Sequence, residues 1–369
     1  MIGRHERSAT QAHTTPLHSN GKEALMRTTQ PSRVRIGVGA LLALSLATTV
    51  SACGRGGSDS ATSGGGTKAK IAIVTRDFTN PYWAALRDGA MAEGKKDGVD
   101  VNVQAGNSET DSSGENAKIS TLAGQNYNCF GVVPVNATNV ITPLVPVAQK
   151  KIPILNLDTQ IDPAASKAAG VSYASFIGSD NLQAGKIAGK ALLAKVHSGK
   201  VAILQGIAGE QNGINREQGF AAATKGKLTV VAKQPADYDQ AKAQTVTDAI
   251  LKAHPDIKGI FAANDTMGLG ATQSVKNAGK SGQVTVISVD GIKAALRAVQ
   301  AGTLSGTVTQ YPYAEGQLAV QACIKAVAKK PVPARVVSPI KLITKDNVAR
   351  ALKSFPQPFE PFNNPLAGK

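Results

Sequence analysis

Cysteine and histidine are scarce in this chain, and so are the arrangements that usually put them to work. Three cysteines in 369 residues are too few for a disulfide-built scaffold, and the spacing of Cys53, Cys129 and Cys323 matches no metal motif. Of the five histidines, only His197 and His254 lie beyond the N-terminal region, both in loop-like surroundings (HSGK, HPD). No G-x-S-x-G nucleophile elbow and no G-x-x-x-x-G-K-[ST] phosphate loop occurs. GSDNLQAGKIAG comes nearest to the latter, but its two closely spaced glycines fit no phosphate fingerprint, so it reads as a helix N-terminus capped by Ser179 or Asp180. Lys and Arg outnumber Asp and Glu by 41 to 25, yet there is no run of five basic residues and no basic stretch interleaved with aromatics. Nucleic acid is therefore not an expected partner. Residues 1–52 carry six Lys/Arg and two Asp/Glu, which leaves 35 basic and 23 acidic residues, or +12, scattered over the remainder. Such a surface suits the neighbourhood of an anionic membrane or cell wall.

What is present begins with an address. Arg27, Arg33 and Arg35 precede the apolar run Ile36 to Val50, the layout of a secretory signal. The run ends in Val50-Ser51-Ala52-Cys53-Gly54, which resembles a bacterial lipobox and makes Cys53 the expected lipidated N-terminus of the mature chain. A plain signal peptide with a chance cysteine is the alternative. Residues 1–25 are polar and fit no signal architecture, so they read as an extension upstream of a start at Met26. Residues 53–67, rich in Gly and Ser, read as a flexible tether after the anchor. With Cys53 assigned to lipid, Cys129 and Cys323 read as buried small apolar residues, with a single disulfide as the alternative in an oxidising exterior.

From Lys68 onward the pattern is strand, loop, helix, repeated. KIAIVT, VDVNVQA, CFGVVPV, IPILNLD, FIGSD, VAILQ, LTVVAKQ, GIFAAND, QVTVISVDG and LSGTVTQ read as strands, with helical periodicity between many of them. Trp83, Leu86 and Ala90 share one helical face, as do Val246, Ala249, Ile250 and Ala253. Alternation of this kind predicts an α/β fold with two doubly wound parallel-sheet lobes, whose carboxyl-end loops pool into one cleft. The expected division is 68–178 plus 310–339 for the N-terminal lobe and 179–309 plus 340–369 for the C-terminal lobe.

Polar residues gather where strands end: Asn80 with Tyr82 and Trp83, Asp158, Arg216, Tyr238, Asn264 with Asp265, Asp290 and Gln310. Arg216 follows the strand VAIL and the loop QGIAGEQNG, at the address where open α/β sheets bind ligands. Planar carboxylates and amides, an arginine and aromatic faces are the groups that hold a small polyhydroxylated molecule. Asp158, Arg216 and Asp290 would share a net charge of −1 completed by a neutral ligand. Each residue also has a structural reading. Trp83 and Tyr82 fit a core, Tyr238 a packed loop, Asp290 a turn before Gly291, and Asp265 a cap for the following helix.

Several stretches together carry a family resemblance: NPYW with LRDGA, IPILNLD, GSDNLQAGKIAG, LQGIAG, REQGF, QPADYD, LKAHPDIKGIFAANDTMGLGA, VDG and GTVTQYP. From about Lys70 to Ile343 the chain resembles the periplasmic ribose-binding proteins and their pentose- and hexose-binding relatives, the substrate receptors of bacterial ABC sugar importers. The same fold serves lac-repressor-type regulators, but here a secretion signal, not a helix-turn-helix, precedes the domain. The resemblance implies a periplasmic binding protein type I fold with chain crossings near Gly178, Thr309 and Pro339. It also implies ligand contacts from Asn80, Tyr82, Trp83, Asp158, Arg216, Tyr238, Asn264, Asp290 and Gln310. Two departures stand out. Thr159 occupies a position where ribose binders carry arginine, and Pro134 one where they carry asparagine, with Asn136 or Thr138 as substitutes. They argue against ribose and leave another pentose, a hexose, a polyol or a signalling sugar derivative. They also leave Arg216 as the expected sole guanidinium at the ligand, with Glu210, Gln211, Asn212 and Thr159 as places for selectivity. The implied function is a monomeric, lipid-anchored receptor without cofactor or catalysis, closing on a small neutral sugar or polyol and docking on an ABC permease with its ATPase. A sensor feeding a membrane kinase or chemoreceptor and a secreted carbohydrate-active enzyme are the alternatives.

Overall fold

The computed structural model describes residues 68–367; the signal-like segment, Cys53 and the tether lie outside the described residues. The chain begins with β1 (Lys70–Thr75), α1 (Pro81–Asp97), β2 (Asp100–Ala105), α2 (Ser112–Ala123), β3 (Cys129–Val132), α3 (Ile141–Gln149), β4 (Ile154–Leu157), α4 (Pro163–Ala168) and β5 (Ser175–Ser179). It continues with α5 (Asn181–Val196), β6 (Gly199–Gln205), α6 (Gln211–Thr224), β7 (Leu228–Pro235), α7 (Gln240–Ala253), β8 (Gly259–Ala262), α8 (Asp265–Asn277), β9 (Thr285–Asp290), α9 (Lys293–Ala301) and β10 (Gly306–Thr309). It ends with α10 (Pro312–Val327), β11 (Arg335–Ser338), β12 (Lys341–Ile343) and α11 (Val348–Ser354).

The strands form two six-stranded sheets, ordered β11-β5-β4-β3-β1-β2 and β12-β10-β9-β8-β6-β7. Every neighbouring pair is parallel except β10 with β12. Helices cover both faces of each sheet, so central strands such as β3, β4 and β8 are buried throughout and read as continuous apolar runs. The two sheets share one strand order, which gives structural weight to the strand-loop-helix echo between the halves. In this order the first strand of each sheet, β1 or β6, lies beside a topological switch point, where loops diverge and leave a crevice. The chain leaves the first sheet after Ser179, returns after Thr309, and crosses again between Ser338 and Lys341.

Two features depart from the sequence expectation. Cys129 in β3 and Cys323 in α10, read from sequence as buried thiols, form a disulfide with Cα atoms 5.7 Å apart. The bond is possible because α10, although it follows strands β6 to β10 of the second lobe, packs back on β3, β4 and β5. The segment after α11, placed by sequence in the second lobe, reaches beyond it. Asn364 donates to Gln321 of α10 at 3.0 Å, and Leu366 is buried.

Candidate functional site

A cleft with about 280 Å³ of empty space, part of it open to solvent, lies between the lobes. Arg76, Asn80, Tyr82, Trp83, Glu109 and Asp158 line it from the first lobe, and Glu210, Asn212, Arg216, Tyr238, Asn264 and Asp290 from the second. Local sequence explains how these side chains arrive. Asn80 caps α1, accepting from the Tyr82 amide, and Pro81 opens the first turn with a preset φ. Tyr82 and Trp83 then project from that turn, with their rings edge to face 4.7 Å apart. Glu109, in the loop after β2, accepts from the Trp83 indole at 2.8 Å and from Asn80 at 2.5 Å, so it orients both.

In the second lobe, Glu210 caps α6 by accepting from the amides of Asn212 and Gly213, which places Asn212 and Arg216 one turn apart toward the cleft. A close approach of α5 to α6 fixes Arg216. A Cβ on Gly185 would stand 1.9 Å from the Arg216 carbonyl oxygen, and one on Gly219 would stand 2.0 Å from that of Leu182. Arg216 donates from Nε to Asn181 at 2.7 Å and from Nη1 to the Ala263 carbonyl at 2.8 Å, and lies 3.5 Å from Asp290. Its Nη2 makes no hydrogen bond among the described residues.

Three lining residues hold positive φ values: Asp158 at 54°, Tyr238 at 61° and Asp290 at 132°. Such backbone is costly for non-glycine residues and persists where surrounding bonds enforce it. At Asp290 the enforcing group is Asp265. Sequence offered Asp265 as a helix cap, but Asn264 is the cap. Asp265 is instead fully buried, accepting from Ser288 and Thr307 hydroxyls and from the Gly291 and Ile292 amides. It pins the turn that aims Asp290 into the cleft. Burial pushes its carboxyl up to about 6 despite those four donors.

The lobes meet across the cleft through polar bonds. Asn212 donates to Asp158 at 2.8 Å and to Thr159 at 3.2 Å, and Thr159 lies 3.2 Å from Glu210. Arg76 pairs with Glu210 at 3.1 Å. The arginine is a second guanidinium in the cleft, which corrects the expectation that Arg216 would be the only one. It enters from the end of β1 rather than from position 159, and bonds Pro134 O and Thr159 instead of sharing the site with an asparagine. Burial opposes the charge of Glu210, yet Arg76, the Tyr238 hydroxyl and the Gly213 amide carry its carboxyl below the ordinary value. Glu109 goes the other way: burial raises it, and Arg76 offsets this only in part. Asp290 is raised well above the carboxylate range by burial, with Arg216 pulling down and Asp265 pushing up. The charge inventory thus exceeds the Asp158, Arg216 and Asp290 set read from sequence.

The remaining sequence candidates lie elsewhere. Gln310 is buried behind Asp290, to which it donates at 2.8 Å, and lines an adjoining cavity with Tyr82 and Tyr311 rather than the cleft. Thr159 is buried beneath the lining, bonded to Arg76 and Asp158. Asn136 folds over its own loop, accepting from Thr138 and Asn139, and Thr138 is exposed. Gln211 bonds Asn215 along its helix. Arg76 and Glu109 were missed, although Arg76 directly follows a strand just as Asp158 does. Glu109 carries no such signal, since it sits four residues past the end of β2.

The fold and cleft define a two-lobed α/β protein with a polar cleft of small-molecule size between its lobes. The chain belongs to the periplasmic binding protein family: the model of the periplasmic binding protein domain matches residues 71–331. It is 36% identical to the D-allose-binding periplasmic protein of Escherichia coli over 248 residues, 66% of this chain and 80% of the relative. It is 35% identical to the ribose import binding protein RbsB of Salmonella typhimurium over 280 residues, 75% of this chain and 91% of the relative. A periplasmic solute binding protein of an ABC transporter from Actinobacillus succinogenes, solved with bound D-allose, superposes with a TM-score of 0.73 at 31% identity, covering 76% of this chain and 99% of that one. A carbohydrate transporter solute binding protein from Agrobacterium radiobacter, in complex with D-arabinose, gives a TM-score of 0.72 at 27% identity, covering 79% and 99%.

Proposed function

We propose that this protein is the extracytoplasmic substrate receptor of an ABC importer, holding a small neutral sugar or polyol in the interlobe cleft and anchored to the membrane by lipid on Cys53. The observation that carries this reading is the pairing of aromatic faces with polar groups. Trp83 and Tyr238 offer ring faces for C–H patches. Arg216 donates to protein from Nε and Nη1, and Glu109 Oε2 is a buried acceptor without a hydrogen bond among the described residues, 3.6 Å from Arg76 Nη1. Adjacent hydroxyls, which donate and accept at once, suit such groups. The relatives named for allose, ribose and arabinose support the same ligand class.

The mechanism is hinge closure. Ligand held by Asp158 and Asn80 on one lobe and by Arg216, Asn264 and Asp290 on the other gains its full set of contacts only when the lobes meet. That differential affinity shifts the population toward the closed form, which then docks on the permease. The protein does no chemistry on its ligand. A calorimetric and thermal-shift screen over pentoses, hexoses, polyols and inositols tests this, with Arg216→Ala as control. The expected result is one ligand class bound without turnover and affinity lost in Arg216→Ala. Full affinity in that variant refutes the site, and turnover refutes the receptor reading. Lipid labelling of the secreted protein, abolished by Cys53→Ala, tests the anchor.

A further inference from the structure

Resting on the sugar-receptor reading, we infer that Glu315, which does not line the cleft, positions the cleft carboxylate Asp158 by supplying a proton to the Tyr82 hydroxyl between them. Sugar binding then requires that proton. Tyr82 Oη lies 2.9 Å from Asp158 Oδ1 and 3.3 Å from Glu315 Oε2, and all three residues are buried. A phenol owns a single hydrogen. At the shorter distance it goes to Asp158, holding Oδ1 while Asn212 donates to Oδ2 at 2.8 Å. Glu315 Oε2 can then bond the phenol oxygen only by donating to it, and an ionised carboxylate has nothing to donate. Without the proton, two anionic oxygens compete for one hydrogen, and a buried acceptor is left unpaired.

The place of Glu315 ties this proton to the hinge. It stands in the first turn of α10, just past the second chain crossing. There it accepts from the Ser179 hydroxyl of the first crossing at 3.1 Å and is faced by Ser338 of the third. Tyr82 of α1 and Asp158 after β4 are the titratable groups that face it, β5 and β11 bring the two serine hydroxyls, and Asp290 and Arg216 of the second lobe act on Tyr82. Burial and Asp158 push the Glu315 carboxyl up to about 8. While the lobes are apart, water in the cleft reaches Asp158 and screens its repulsion of Glu315. Closure displaces that water and sets Asn212 of the second lobe against Asp158. The closed form therefore holds the proton more tightly than the open form. By linkage, affinity is full below the open-form value and is lost as pH rises through about 8.

Titration calorimetry of the purified protein with D-allose, D-ribose and D-arabinose, at about pH 6 and about pH 9, tests the relay. The native protein is expected to bind its sugar about tenfold more tightly at the lower pH. Glu315→Gln, whose amide donates to Tyr82 at either pH, is expected to hold the native low-pH affinity within about threefold and to keep it at the higher pH. Glu315→Met, which keeps the bulk but has no hydrogen to donate, is expected to bind about tenfold more weakly at the lower pH. Equal native affinity at the two pH values overturns the relay and leaves the receptor reading intact, and this readout serves if the variants do not fold. The same holds if Glu315→Gln loses affinity with pH as the native protein does, or if Glu315→Met matches the native protein at the lower pH. Failure to bind these or any other sugar or polyol overturns the receptor reading instead. Infrared spectra of the ligand-free protein then decide the proton by themselves: a protonated-carboxyl stretch at the lower pH that Glu315→Gln lacks supports its place on Glu315, and identical spectra overturn it.

Discussion

Removing the Cys129–Cys323 bridge is expected to cost the fold about 5 kcal/mol while leaving ligand affinity within twofold of the native value. The bridge closes a loop across a sequence separation of 194 residues that contains strands β6 to β10 of the second lobe. In the chain-entropy treatment a loop of that length lowers the entropy of the unfolded chain by about 18 cal/mol/K, which is about 5 kcal/mol at 25 °C. An unfolding entropy of about 2.1 cal/mol/K per residue over the described region converts this into a drop of about 8 °C in Tm. Both cysteines belong to the first lobe, one on β3 and one on α10, so closure about the hinge neither stretches nor breaks the bond. Scanning calorimetry of the native protein, with and without reductant, and of Cys129→Ala/Cys323→Ala measures the first quantity. Titration with the identified ligand measures the second. A double variant melting within 2 °C of the native protein refutes the loop-closure reasoning. A large loss of affinity at native stability refutes the assignment of the bridge to one lobe alone.

Burial and Asp158 together push Glu315 up to about 8. It therefore contributes stability in full below its ordinary value near 4.5, and that contribution is lost as pH rises through about 8. Glu315→Gln is expected to flatten the decline in denaturant midpoint across that window, and an unchanged slope counts against the assignment. Tyr238→Phe keeps the ring face but removes the hydroxyl that donates to Glu210 at 2.5 Å. A bond to a charged group is worth about 1.5–3 kcal/mol, so stability in denaturant should fall by about that much; an unchanged midpoint would show that the bond does not stabilise the second lobe. Gly185→Ala forces a methyl to within 1.9 Å of the Arg216 carbonyl oxygen. A loss of about 1–3 kcal/mol with weakened ligand binding is expected. Gly124→Ala, whose methyl meets only Thr121 O at 3.4 Å, should do neither.

The strand ends were legible because parallel strands buried on both faces leave only their carboxyl ends for polar side chains. Asn80, Asp158, Arg216, Asn264 and Asp290 could thus be collected from the one-dimensional pattern, and they do line one cleft. The same rule covered Arg76, which stands directly after KIAIVT. Nothing local marks it as a cleft residue, since its counter-ion Glu210 lies 134 residues away. Gln310 shows the opposite error: it sits at a strand end, but its amide is drawn behind Asp290 instead of into the cleft.

Composition, periodicity and the order of strand and helix runs were sufficient to determine the α/β class, the two lobes and the kind of residue that faces the ligand, because burial on a sheet leaves a local signature. Three things were decided by tertiary structure alone: the pairing of Cys129 with Cys323, the return of the final residues to α10, and the charge partners that turn Arg76 into part of the cleft wall. Each joins residues that are distant in sequence and adjacent only after the chain has crossed the hinge, and no local pattern encodes such a distance.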